Sequence, residues 1–233
     1  MNKQMNSNEM KVIATIRTDF PTKFGIPRQS GIVESLKAVI VFEPEYRNPD
    51  ALRGLEEFSH IWLIWQFSKA VRKHWSPTVR PPRLGGNIRM GVFATRSPFR
   101  PNPIGLSSVR LEGIDLHTEE GPVLYVSGAD LMDGTPIYDI KPFIPYADNH
   151  PDALGGFTQN TSGHTLQVEF PAQWLEQVPE NRREALTGVL AHDPRPSYQD
   201  DPERIYGMAF AGLEVKFRVK DNVLTVCSVS REA

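Results

Sequence analysis

The sequence predicts a mostly β protein, with a closed or nearly closed β-barrel in its N-terminal part and a small α+β unit behind it. Three observations carry that prediction. Short segments of alternating apolar and polar residues recur along the chain, rich in β-branched and aromatic side chains that suit a half-buried pleated surface. Between them stand turn residues: 20 prolines and 17 glycines cut 233 residues into many short pieces, as barrels require. No strand–helix–strand succession and no G-x-G-x-x-G occurs, which removes a doubly wound nucleotide fold.

Residues 1–10 are polar and expected to fray. Residues 11–17 (KVIATIR) alternate and read as the first strand; 19–31 form a loop carrying Pro27-Arg28-Gln29 ahead of a second strand near 31–42. Asn48-Pro49-Asp50 places a capping side chain before a proline at the first helical position, so a short helix through Leu55 is expected. Residues 60–67 are apolar on both faces, as in a central strand. Residues 75–87 (WSPTVRPPRLGGN) make a basic loop too long for a simple connector. Residues 91–95 alternate again. The next eight, RSPFRPNP, hold prolines at 98, 101 and 103, which fix φ and bias each preceding residue toward extended backbone. Strands are expected at 104–116, 123–129 and 137–143, the last after a turn over 130–136.

Beyond Ala147 the composition changes. The polar, aperiodic stretch 148–163 marks a boundary and gives domains 1–150 and 151–233. The second domain is expected to hold a short strand (166–170), a helix (171–190) and a closing hairpin of 213–219 with 223–229.

A net charge of −2 announces no nucleic-acid partner, but the distribution of charge does. Residues 58–111 contain no Asp or Glu, while Lys69, Arg72, Lys73, Arg80, Arg83, Arg89, Arg96, Arg100 and Arg110 all fall there. Such segregation creates a local positive field on a nearly neutral protein, unless acids from elsewhere fold against it. The single cysteine, Cys227, excludes an intrachain disulfide and fits a reducing compartment. The N-terminus lacks the apolar core of a signal peptide, and the longest apolar run is too short for a bilayer, so a cytoplasmic protein is expected. Scattered histidines and the absence of a cysteine pair point away from a metal site. Missing Walker A and G-x-S-x-G motifs point away from P-loop and α/β-hydrolase chemistry.

What remains is a set of loops in which Pro or Gly braces polar groups. Pro27-Arg28-Gln29 offers a forked cation and an amide; residues 96–102 offer guanidinium and amide donors; Asp133-Gly134-Thr135-Pro136 offers a carboxylate with free backbone N–H groups or a plain Asx-turn. His60 opens an apolar strand, where a core histidine bonded to a carbonyl is the competing reading. Asp139 with Lys141, and Asp193 with Arg195, can equally be structural ion pairs.

These stretches together, RMGVFATRSPFRPNPIGLSSV with PRQ before it, LRGLEEFSHIW, RPPRLGGN, DLMDGTPIYDIKPF and DPRPSY, resemble the TrmO (TsaA-like) family over nearly the whole chain. The resemblance implies a single-sheet barrel that binds S-adenosylmethionine and a methyltransferase that works as a homodimer. Its implied substrate is tRNA carrying N6-threonylcarbamoyladenosine at position 37, mainly in threonine tRNAs, with the methyl going to that N6. It further implies that Pro27, Arg28, Gln29, His60, Ile61, Arg96, Asp133, Gly134, Thr135 and Pro136 hold the cofactor.

Methyl transfer from a sulfonium is an in-line displacement, so the protein mainly aligns two partners along one axis. The acceptor nitrogen is delocalised and needs a group to take its proton; Asp133 first and Asp139 second are the candidates. Arg72, Lys73, Arg80 and Arg83 would supply salt-dependent phosphate contacts. Arg100 and Asn102 could read the modified base or its threonyl carboxylate. Arg195 and Tyr198 would make the C-terminal unit a second tRNA surface or a dimer clasp. A barrel that holds S-adenosylmethionine or tRNA without turnover is the alternative.

Overall fold

Alternation becomes strand wherever it can bury one face. In this computed structural model, which describes residues 9–70, 74–81, 84, 87–161, 165–196, 199 and 201–232, twelve strands form among the described residues. They are β1 (Ala14–Arg17), β2 (Lys37–Phe42), β3 (His60–Gln66), β4 (Thr78–Val79), β5 (Met90–Gly91), β6 (Ile104–Thr118), β7 (Gly121–Ser127), β8 (Thr135–Pro142), β9 (Gln167–Glu169), β10 (Tyr206–Phe210), β11 (Leu213–Lys220) and β12 (Val223–Arg231). Six of them close into a barrel in the order β1-β2-β7-β6-β3-β8, every pair antiparallel, which leaves no free edge. Ile16, Ile40, Ile61, Leu63, Leu124 and Ile137 fill its interior. A bulge between Ile64 and Trp65 shifts the β3–β8 register, so Ile140 packs on the core and Asp139 pairs with Ile64.

The C-terminal unit is a four-stranded sheet, β10-β11-β12-β9, covered by α3 (Glu180–Ala191). Its core joins Leu186 and Leu190 to Phe210, Val215, Phe217 and Leu224. Three residues from the β1–β2 connection, Phe20, Val33 and Leu36, are buried in that second core. The loop bearing Pro27-Arg28-Gln29 is thus seated on the C-terminal sheet. Gly25 makes the seat close: its φ is +93°, and a Cβ there would lie 2.1 Å from Met208 Sδ.

Four expectations need correction. Residues 91–95 do not extend as a strand; after β5 they form a single 3₁₀ turn, Val92–Ala94, because the Thr95 N–H (3.2 Å) and Oγ1 (2.9 Å) both fold back on the Val92 carbonyl. The helix expected through Leu55 is two 3₁₀ turns interrupted at Gly54, although Asn48 does cap Asp50 N–H at 3.0 Å. The long helix at 171–190 is two, α2 (Ala172–Leu175) and α3, because Pro179 biases Val178 out of the helical region. Strand β10 was not expected from the sequence, since Gly207 and Ala209 dilute its pattern, although Tyr206, Met208 and Phe210 do alternate inward. No helix among the described residues is long and apolar enough to cross a membrane.

Candidate functional site

One mouth of the barrel gathers polar groups from three distant stretches. The loop 27–31 lies on the end of β7, where Gly31 N–H donates to the Gly128 carbonyl at 2.8 Å. Arg96 reaches this loop and donates to Gln29 Oε1, while the Gln29 amide donates to the Arg28 carbonyl. Beneath them Asp130 accepts from Ser107 Oγ at 2.6 Å, and Ser107 Oγ in turn accepts from the Trp65 indole at 3.0 Å. Burial pushes the Asp130 carboxyl above its usual range, although the Ser107 hydroxyl and the Arg96 guanidinium pull the other way. A half-buried carboxylate of raised basicity, flanked by an exposed guanidinium and an amide, can bind a zwitterionic ligand and take up a proton.

The Trp65–Ser107–Asp130 chain depends on an absent side chain. A Cβ on Gly105 would stand 2.2 Å from Trp65 Cε2. Trp65 is a core residue with little room to give way. Gly105→Ala is therefore expected to cost about 1–3 kcal/mol in urea unfolding and to displace Trp65, visible as a shift in indole fluorescence. An unchanged melting curve and emission spectrum would show that the contact relaxes freely.

The turn at 133–136 stands at the same mouth, against the end of β1. Its backbone is tied within the chain: Asp133 N–H to the Phe20 carbonyl (2.8 Å), Gly134 N–H to Ile16 (2.8 Å) and Thr135 N–H to Met132 (3.2 Å). These N–H groups, expected to be free for a ligand, are taken instead by β1 (Gly134), by the loop that follows it (Asp133) and by the turn itself (Thr135). The Asp133 carboxylate is exposed and accepts Thr18 N–H at 3.0 Å.

Other sequence-selected residues go elsewhere. Ile61 pairs with Pro142, so His60 and Ile61 sit at the far end of β8 from Thr135, about 23 Å away at strand spacing. The His60 ring faces Phe143 (centroids 6.2 Å) and its Nδ1 meets Ser59 Oγ at 3.0 Å, while the Ile61 side chain is wholly inside the barrel. Asp139 is ion-paired with Lys141 at 2.9 Å, away from the mouth. Arg100 is turned into its own loop, donating to the Val92 (3.2 Å) and Thr95 (2.9 Å) carbonyls, so it braces the loop and does not present a fork to a ligand. Arg195 is likewise folded inward, bidentate to Asp193 at 2.8 and 2.9 Å, while its carbonyl accepts from Arg28 at 3.4 Å. Pro27 is buried; Arg28, Arg80 and Asn102 are exposed. Arg72, Lys73, Arg83 and Tyr198 lie outside the described residues. Among the described residues no cluster of three metal-ligating side chains occurs.

Asp130 was missed as a site residue. In the sequence it is one of two aspartates in the same turn, and nothing local separates it from Asp133. Only the seat beside Ser107 and Trp65 does.

Comparison with known proteins gives consistent matches. A model of the tRNA-methyltransferase O N-terminal domain matches residues 15–149, and one of the TrmO C-terminal domain matches 163–232. A tRNA (adenine(37)-N6)-methyltransferase of Escherichia coli (strain K12) is 43% identical over 225 residues, 93% of this chain and 95% of that protein. A putative S-adenosylmethionine-dependent methyltransferase RcsF of Pseudomonas aeruginosa is 41% identical over 217 residues, covering 90% of this chain and 91% of that one. The crystal structure of TrmO from P. aeruginosa superposes with a TM-score of 0.79 at 34% identity, over 99% of this chain and all of that one.

Proposed function

The chain belongs to the TrmO family, and from that we propose a tRNA methyltransferase that moves the methyl of S-adenosylmethionine to N6 of adenine 37, with the threonylcarbamoyl form of that base, chiefly in threonine tRNAs, as substrate. The observation that carries this reading is the meeting of Gln29, Arg96 and Asp130 at one barrel mouth. The donor set fits the cofactor: the Arg96 guanidinium, held through one nitrogen by Gln29, suits an amino-acid carboxylate, and the loop backbone lies close by. When bound, S-adenosylmethionine supplies the methyl electrophile. Arg96 and Gln29 orient its polar end, loop 27–31 closes one side of the mouth, and Asp130 takes the proton that leaves N6. Asp133 holds the turn through Thr18 and the end of β1. We divide the chain near residue 150, with the cofactor site on the barrel, and place it in the cytoplasm with its tRNA.

The family resemblance, which implies that His60 and the 133–136 turn hold one cofactor, supports a homodimer. A single small ligand cannot touch both the 133–136 turn and a residue at the other end of β8 in one chain, so in this reading a second copy brings His60 to the mouth. Two inactive variants, His60→Ala and Asp130→Asn, should then complement each other when mixed and allowed to exchange subunits. Roughly a quarter of wild-type activity is expected to return, since half of the dimers carry one intact site. Failure of the mixture to exceed its parts would leave each site within one chain.

Labelled donor incubated with tRNA that does or does not carry the threonylcarbamoyl group tests the function itself. Transfer to the modified tRNA alone is expected. Donor binding without transfer would make the protein a non-catalytic module.

A further inference from the structure

The small flap formed by β4 and β5 carries two aromatic rings that neither core uses. Trp75 and Phe93 stack with centroids 6.2 Å apart and planes inclined by 24°, yet they are 50% and 74% exposed. They are held from beneath: Ser76 N–H donates to the Phe99 carbonyl (3.3 Å), Val92 N–H to the Pro77 carbonyl (3.0 Å), and Arg100 clamps the Val92 and Thr95 carbonyls. The flap is therefore braced while its rings face solvent. An exposed aromatic pair on a braced support is a surface kept for a partner.

Charge identifies the partner's class. His74, Arg80, Arg89 and Arg96 are exposed around the two rings in sequence, and the span 58–111 holds no carboxylate. None of the ion pairs among the described residues involves Arg80 or Arg89. A second copy of this face would bring like charges together, whereas a polyanion would not. Unpaired nucleotides offer both a flat π-face and a phosphate, and aromatic rings among cations are how proteins hold single strands. Phe93 precedes Arg96 by three residues, at most about 11 Å of chain, so the rings stand beside the mouth.

We propose that Trp75 and Phe93 form a stacking shelf for an unpaired base of the RNA, neighbouring the base that enters the mouth. This rests on the methyltransferase reading for the identity of the RNA but not for the binding itself. A base acted on by an enzyme must leave its stack, and the shelf replaces the lost neighbour for the adjoining nucleotide. The shelf holds by ring contact, so hydrogen-bond readout of that nucleotide is not required.

The test uses the full chain and an anticodon stem-loop RNA with threonylcarbamoyladenosine at position 37 and 2-aminopurine at the flanking unpaired position. Wild-type protein is expected to change the 2-aminopurine emission, and Phe93→Ala and Trp75→Ala to abolish that change. Both variants should weaken RNA binding by roughly ten-fold, raise the KM for tRNA correspondingly, and leave donor affinity and melting temperature in place. Trp75→Phe and Phe93→Tyr should retain binding. Wild-type affinity in both alanine variants would overturn the shelf. So would a loss of dimer in sedimentation with RNA affinity unaltered, which would assign the rings to a second copy. If wild-type protein binds the RNA but transfers no methyl, the enzymatic reading fails, and the shelf is still decided by the emission signal.

Discussion

Asp130→Asn is expected to slow methyl transfer by roughly a hundred-fold or more while the protein melts no lower at neutral pH. The rate loss follows from removing the group proposed to accept the N6 proton at the mouth. The stability result follows from the sign of the shift. Burial raises the Asp130 carboxyl above its ordinary value, so the folded chain holds that proton more tightly than the unfolded one. Ionising it therefore erodes stability as pH climbs from the ordinary value to the raised one, and the loss persists above. An amide bears no such penalty and can still accept from Ser107. Wild-type rates should fall on the acid side as Asp130 takes its proton, and this limb should vanish in the variant. Asp133→Asn is the comparison: its amide oxygen can still receive Thr18 N–H, so a smaller loss is expected. Single-turnover rates across pH decide the matter, and a larger deficit for Asp133→Asn would return the proton to the residue the sequence favoured.

Phe20→Ala should damage stability and donor binding together. Phe20 is 1% exposed, meets Phe210 edge-on at 5.4 Å, and belongs to the C-terminal core although it lies in the β1–β2 connection. Truncating such a ring costs about 3–5 kcal/mol. Its carbonyl also accepts Asp133 N–H, and its neighbour Asp19 is clasped by Arg182 at 2.9 Å and by Ala211 N–H at 2.8 Å. Loosening this seat frees both the turn at 133–136 and the approach to Gln29. Phe217→Ala removes a ring of the same kind from a strand outside that connection, β11, where it is 0% exposed and stacks on Tyr206 at 5.6 Å. At temperatures where both variants remain folded, calorimetry is expected to show weakened donor binding for Phe20→Ala and near-native binding for Phe217→Ala. Equal losses would mean that the C-terminal unit supports the loop only through global stability.

Much of the architecture could be read from the chain because strand alternation is a local property with a period of two. LEVKFRVK names its inward face without reference to any partner, and the burial of β11 follows that face. Where the reading failed, a distant group competed with local propensity. Val92 has the pattern of a strand residue, but its carbonyl is taken by Thr95 and Arg100 and the segment turns. Pro179 split a helix whose apolar positions otherwise run on.

By itself the sequence determined the six barrel strands and the closing hairpin, the stiff proline loop, the acid-free span and the family resemblance, all of which depend on residues close together along the chain or on motifs in order. The tertiary structure alone decided which polar groups remain available. It set Arg100 and Arg195 to bracing their own loops, tied down the N–H groups of the 133–136 turn, carried His60 to the far end of β8, and seated Asp130 on Ser107. The reason is that a guanidinium or carboxylate binds whatever complementary group the fold brings within about 3 Å. That neighbour is chosen by strand register and domain packing, which no local pattern encodes.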